Sequence, residues 1–122
     1  MSKILIVEDD AFISEMYSNK LKKAGFEIQV IKDGEEAIKQ IPEIKPDLIL
    51  LDIVLPKMDG FEILKRIKEN SQMQNIKVVL LTNLGQEEDI KKGLQLKADA
   101  YMIKAHFTPT QVVDQVNELL KS

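Results

Sequence analysis

Short runs of apolar residues alternate along this chain with longer segments in which apolar positions recur every third or fourth residue. The short runs suit β-strands and the longer segments amphipathic helices, so the alternation predicts an α/β fold built on a parallel sheet. A first strand is predicted over residues 3–7. The next segment, 11–24, sets Phe12, Ile13, Met16, Tyr17 and Leu21 on one helical face, with Asp10 as N-cap and Gly25 at the stop. Residues 26–31 form a second strand in which Glu27 and Gln29 alternate with apolar neighbours. One exposed side places it at an edge.

Asp33 is expected to cap a short helix from residue 34 or 35 to about 41, facing inward through Ala37, Ile38 and Ile41, with Pro42 and Pro46 bracketing its exit. The third strand, 47–51, is apolar after its first residue and therefore central. A long turn, 53–60, contains Pro56 and the turn pair Asp59 and Gly60, and leads to a helix over 61–69 with Phe61, Leu64 and Ile67 on a common face. A fourth strand, 76–81, precedes a helix over 87–96. Gly93 inside that helix costs about 1 kcal/mol relative to alanine. A fifth strand, 100–103, ends at Lys104, and Thr108 with Pro109 opens a last helix whose stripe is Val112, Val113, Val116, Leu119 and Leu120. No internal repeat or linker divides the sequence, so residues 1–122 read as one domain.

In an open α/β sheet, ligands sit beyond the carboxyl ends of the strands. There stand Glu8 and Asp9 after the first strand, Asp52 after the third, Thr82 after the fourth and Lys104 after the fifth. Carboxylates crowded together raise one another's pKa or recruit a hard cation such as Mg2+, which takes oxygen ligands. The set also has a chemical sense. Aspartate can accept a phosphoryl group covalently, and a metal, a lysine and a hydroxyl donor stabilise the equatorial charge of that transfer.

Composition removes other classes. A net charge of -3 offers no basic footprint, so direct contact with nucleic acid is not expected. No apolar stretch approaches the roughly 20 residues that span a bilayer, and the first ten residues lack the pattern of a signal peptide. A membrane partner is not expected, and the cytoplasm is the default location. Zero cysteines exclude disulfides and thiolate metal sites. The single histidine, His106, is read as neither catalytic nor a metal ligand.

Taken in order, the run Ile4 to Asp9 with its acidic pair, Asp52 followed by Ile-Val-Leu-Pro-Lys-Met-Asp-Gly, Thr82 after Val-Val-Leu-Leu, and Lys104 after Ala-Tyr-Met-Ile resemble the receiver domain of bacterial two-component response regulators over the whole length. The resemblance implies a flavodoxin-like, doubly wound sheet of five parallel strands in order 2-1-3-4-5 with five surrounding helices. It implies Asp52 as phosphoacceptor, Asp9 as direct Mg2+ ligand, Glu8 as the more distant acid and Val54 as a ligand through its backbone carbonyl. Thr82 becomes the switch hydroxyl, Tyr101 the aromatic that changes rotamer with it, and Lys104 the phosphate-binding lysine. A sensor histidine kinase or phosphotransfer protein would supply the phosphoryl group, and a downstream protein target or effector domain would read the result. The chain would catalyse only its own phosphorylation and dephosphorylation, as a monomer or as a weak dimer through the face of the fourth helix, fifth strand and fifth helix.

Three positions depart from the family pattern. Ala105 follows Lys104 where proline is usual, so a trans bond or a strained loop is expected there. Asn83 stands where a small residue is common, and Lys97 where glycine often adopts a left-handed backbone. Two other functions remain open: a receiver fold that works by constitutive protein contacts, and a Mg2+-dependent phosphohydrolase. The second lacks the acid that such enzymes carry two positions after the nucleophile, where this chain has Val54.

Overall fold

In the computed structural model, which describes residues 2–83, 86–104 and 108–121, strands and helices alternate from end to end. They run β1 (Lys3–Val7), α1 (Ala11–Lys23), β2 (Glu27–Ile31), α2 (Gly34–Ile44), β3 (Leu48–Asp52), α3 (Gly60–Glu69), β4 (Lys77–Thr82), α4 (Glu87–Gln95), β5 (Ala100–Ile103) and α5 (Pro109–Lys121). All strand pairs are parallel, in the order β2-β1-β3-β4-β5. This is the expected flavodoxin-like architecture, with β2 at an edge and β3 at the centre.

Alternation along the strands divides the core between two faces. Ile4, Ile6, Leu48, Leu50, Leu81 and Met102 pack with Tyr17 and Leu21 of α1 and with Val112 and Val116 of α5. Leu5, Val7, Ile49, Leu51, Val78 and Leu80 pack on the other face with residues of α2 and α3. Register then fixes the site. Val7 pairs with Leu51, Asp52 with Leu81 and Thr82 with Ile103, so Glu8 follows on beside Asp52, Lys104 stands two positions beyond the level of Asp52, and all three emerge along one edge.

Side-chain caps account for most of the helix starts. Asp10, Asp33 and Asp59 accept from the backbone N–H three residues on, and Thr108 exchanges bonds with Gln111 in a capping box.

Several sequence expectations are corrected. Phe12 is 77% exposed, because the inward face of α1 is set by Ser14, Tyr17, Ser18 and Leu21, and a residue two positions before Ser14 lies on the opposite side of the turn. Helix α2 does not stop before Pro42 but runs through it to Ile44. An interior proline costs about 3 kcal/mol; here it falls in the last turn, and continuing brings Ile44 into the core three residues after Ile41. The helix then ends on Lys45 in the left-handed region at φ 52. Within α5, Val112 and Val116 are buried while Val113, Leu119 and Leu120 are half-buried. Gly93 has a packing reason: a Cβ there would lie 2.1 Å from Leu80 Cδ1, so glycine lets α4 approach β4. Lys97 takes the left-handed backbone at φ 73. The expectations for Ala105 and His106 fall outside the described residues.

Candidate functional site

Glu8 and Asp52 continue the β1 and β3 backbones past their apolar runs, which carries both carboxyl groups into a nearly dry setting. Glu8 is fully buried and Asp52 is 3% exposed. Asp9 turns outward and is exposed, yet one carboxylate oxygen from each of Glu8, Asp9 and Asp52 lies within 4.8 Å of the others. Among the described residues, a single cation answers this charge. The Lys104 ammonium forms ion pairs with Glu8 Oε1 at 2.7 Å and with Asp52 Oδ2 at 2.9 Å, and its backbone N–H donates to the Thr82 carbonyl at 2.7 Å.

The remaining carboxylate oxygens meet backbone. Glu8 Oε2 accepts from Asp10 N–H at 3.1 Å, and Asp52 Oδ1 accepts from Val54 N–H over a long 3.4 Å. Burial, with a smaller contribution from the Asp52 charge, outweighs Lys104 and the Asp10 amide and pushes the Glu8 carboxyl up to about 7. Burial works to lower the Lys104 ammonium, but its bonds to Glu8 and Asp52 prevail and hold it above its ordinary value.

One ammonium among these carboxylates leaves the cluster negative. The donors are all oxygen, which is the set a hard divalent cation prefers over a softer one. Glu8, Asp9 and Asp52 therefore fit such an ion by chemistry and by spacing.

Of the other expected site residues, Thr82 is buried at the end of β4, its hydroxyl directed at the Met102 carbonyl over 3.5 Å. Tyr101 is 41% exposed on β5. The Val54 side chain is 69% exposed. Its amide, which sequence reasoning did not single out, is the group that reaches Asp52.

Two glycines also shape the site. A Cβ on Gly60 would stand 2.3 Å from the Asp52 carbonyl oxygen, so the turn into α3 can pack beneath Asp52 only with glycine there. A Cβ on Gly34 would stand 2.0 Å from the Met58 carbonyl oxygen, and Gly34 N–H donates to the Pro56 carbonyl at 3.1 Å. This ties the loop after Asp52 to the start of α2. The pairs Asp33-Gly34 and Asp59-Gly60 were visible in the sequence as helix starts, but their tertiary approach was not.

Comparison with known proteins agrees with this fold. The response regulator receiver domain family matches residues 4–117. The alkaline phosphatase synthesis transcriptional regulatory protein PhoP of Bacillus subtilis is 39% identical over 98% of this chain and 48% of its own length. The phosphate regulon transcriptional regulatory protein PhoB of Escherichia coli is 40% identical over 98% of this chain and 52% of its own. The chain thus spans about half the length of these curated relatives. Among solved structures, a response regulator from Chloroflexus aurantiacus superposes with a TM-score of 0.94 at 31% identity, covering 99% of this chain and 98% of that one.

Proposed function

The chain belongs to the response regulator receiver domain family, and from that premise we propose that Asp52 accepts a phosphoryl group and that residues 1–122 act as one receiver domain. The observation that carries this is the position of Asp52: buried at the end of the central strand, bonded to Lys104, with the carboxylates of Glu8 and Asp9 close by. An Asp52 oxygen attacks phosphorus, the bond from phosphorus to the donor's leaving atom breaks, and the proton needed by the departing group comes from solvent. The donor is a phosphohistidine of a sensor histidine kinase or phosphotransfer protein.

Glu8, Asp9 and Asp52, with the Val54 backbone carbonyl, would hold Mg2+. When bound, that ion neutralises charge on the phosphoryl oxygens. Lys104 contributes a second positive charge to those oxygens, and to reach them it must loosen its hold on Glu8 and Asp52. The Thr82 hydroxyl turns from Met102 toward the phosphoryl group, and Tyr101 follows inward. That change alters the face of α4, β5 and α5, through which a downstream protein or effector domain, or a second copy, reads the state. The chain acts in the cytoplasm, catalyses chemistry only on itself, and makes no direct contact with nucleic acid or membrane.

Incubation with Mg2+ and acetyl phosphate tests the reading. Wild type is expected to gain one base-labile phosphoryl group by intact mass, and Asp52→Asn none. An equal gain in Asp52→Asn would overturn it.

A further inference from the structure

Tyr17 lies outside the chemistry described so far. It is fully buried on the inward face of α1, and its hydroxyl has no hydrogen-bond partner among the described residues. A phenylalanine would fill the same space without burying an unsatisfied polar group. The placement of that hydroxyl gives it a use.

Tyr17 belongs to the core cluster on the sheet face that also holds Ile6, Leu50 and Met102. Two residues further along the same three segments stand Glu8, Asp52 and Lys104, and side chains two apart along a strand leave the same face. The charged cluster therefore lies on the same face of the sheet as the core that holds Tyr17, at its carboxyl end. Helix α1 starts next to the site, at its cap Asp10, and Tyr17 is about two turns further along it. Side chains on a helix tilt toward its N-terminus, so the ring of Tyr17 leans up toward the carboxylates. The charges of Glu8 and, with opposite sign, Lys104 both act on its hydroxyl.

In the resting arrangement Glu8 Oε1 is charge-paired with the Lys104 ammonium at 2.7 Å and, among the described residues, is like the Tyr17 hydroxyl in having no hydrogen-bond partner. Under the function proposed above, on which this inference rests, Lys104 turns to the phosphoryl oxygens and Oε1 loses that counter-charge while still buried. We propose that the Tyr17 hydroxyl is a positioning group that then donates a hydrogen bond to Glu8 from the core side, holding the carboxylate in place while Asp52 carries the phosphoryl group.

The test uses the whole chain labelled with 13C at tyrosine Cζ. There are two tyrosines, Tyr17 and Tyr101, so a Tyr101→Phe spectrum assigns the signals. Adding Mg2+ and beryllofluoride, a stable mimic of the phosphoryl group, is expected to move the Tyr17 signal downfield, as donation to a carboxylate does. Tyr17→Phe is expected to keep its melting temperature without metal and to be phosphorylated by acetyl phosphate about fivefold more slowly, the loss of one hydrogen bond. A stationary Tyr17 signal, a signal already downfield before the additions, or a Tyr17→Phe rate equal to wild type would each overturn the inference while leaving Asp52 as phosphoacceptor. A wild type that takes up no phosphoryl group would overturn the Asp52 reading itself, and with it the trigger for Tyr17.

Discussion

At the amino edge of the sheet, Lys68 donates to the Gln74 carbonyl at 3.2 Å, the Ile76 carbonyl at 2.9 Å and Asp99 at 2.9 Å, and Asp99 in turn accepts from Val78 N–H at 2.8 Å. At the carboxyl edge, Lys104 is shared between Glu8 and Asp52, with Asp9 nearby. The two lysines are similarly shielded, with 11% and 13% of their side chains exposed. They differ in balance. The Lys68 network gives its one cation one carboxylate and closes the ends of α3, β4 and β5 together, whereas the Lys104 cluster carries more negative groups than its cation can answer. Charge matched to its partners serves stability; charge left over serves binding.

The sharpest way to break this contrast is to remove one group from each edge. Asp52→Asn is expected to abolish phosphorylation while leaving the metal-free protein as stable as wild type or more so, since it relieves repulsion and leaves Lys104 paired with Glu8. Lys68→Met is expected to keep phosphorylation and to lower stability by about 2 kcal/mol, because two carbonyls and a carboxylate lose their donor. Urea unfolding beside the acetyl phosphate assay reads both effects. A large stability loss in Asp52→Asn would mean that the carboxyl edge is structural after all.

A smaller effect comes from Glu8. The unfolded chain ionises it near its ordinary 4.5 and the folded chain near about 7. Between those values the folded state holds the extra proton, so metal-free stability falls as pH rises across that window and levels off above it. Mg2+ needs the ionised form, so its affinity rises over the same range. Thermal melts in EDTA from pH 4.5 to 8 should show the decline in wild type and a flatter profile in Glu8→Gln. A parallel decline in the variant would assign it to another group.

How much of this contrast was legible in the sequence depends on distance along the chain. The carboxyl edge was readable because each of its groups directly follows an apolar strand run: Glu8 after Val7, Asp52 after Leu51, Lys104 after Ile103. The parallel sheet, its edge and its centre followed from the same runs. The amino edge was not readable, because nothing local links Lys68 to a carboxylate 31 residues away. Pro42 read as a stop signal because the reward for passing it, the burial of Ile44, is tertiary. Phe12 read as core because it is apolar, although Ser14 and Ser18 form the inward face and carry no hydrophobic signal. The Val54 amide and the close approaches of Gly34 and Gly60 belong to backbone geometry, which residue type marks only faintly.

The smallest expected effect lies away from both edges. Lys97 holds a left-handed backbone at φ 73, a conformation that costs a side-chain-bearing residue roughly 1 kcal/mol more than glycine. Lys97→Gly should therefore raise the melting temperature by a few degrees with the phosphorylation rate unchanged. A lower melting temperature would show that the Lys97 side chain contributes more than its backbone costs.

Reductive trapping identifies the phosphorylated residue itself. Borohydride reduces an aspartyl phosphate to homoserine, so treating the Mg2+ and acetyl phosphate product and sequencing its peptides by mass spectrometry locates the acceptor. Homoserine is expected at position 52, with Glu8 and Asp9 unaltered. Homoserine at Asp9, or at no position in a chain that has gained a phosphoryl group, would contradict Asp52 as the phosphoacceptor.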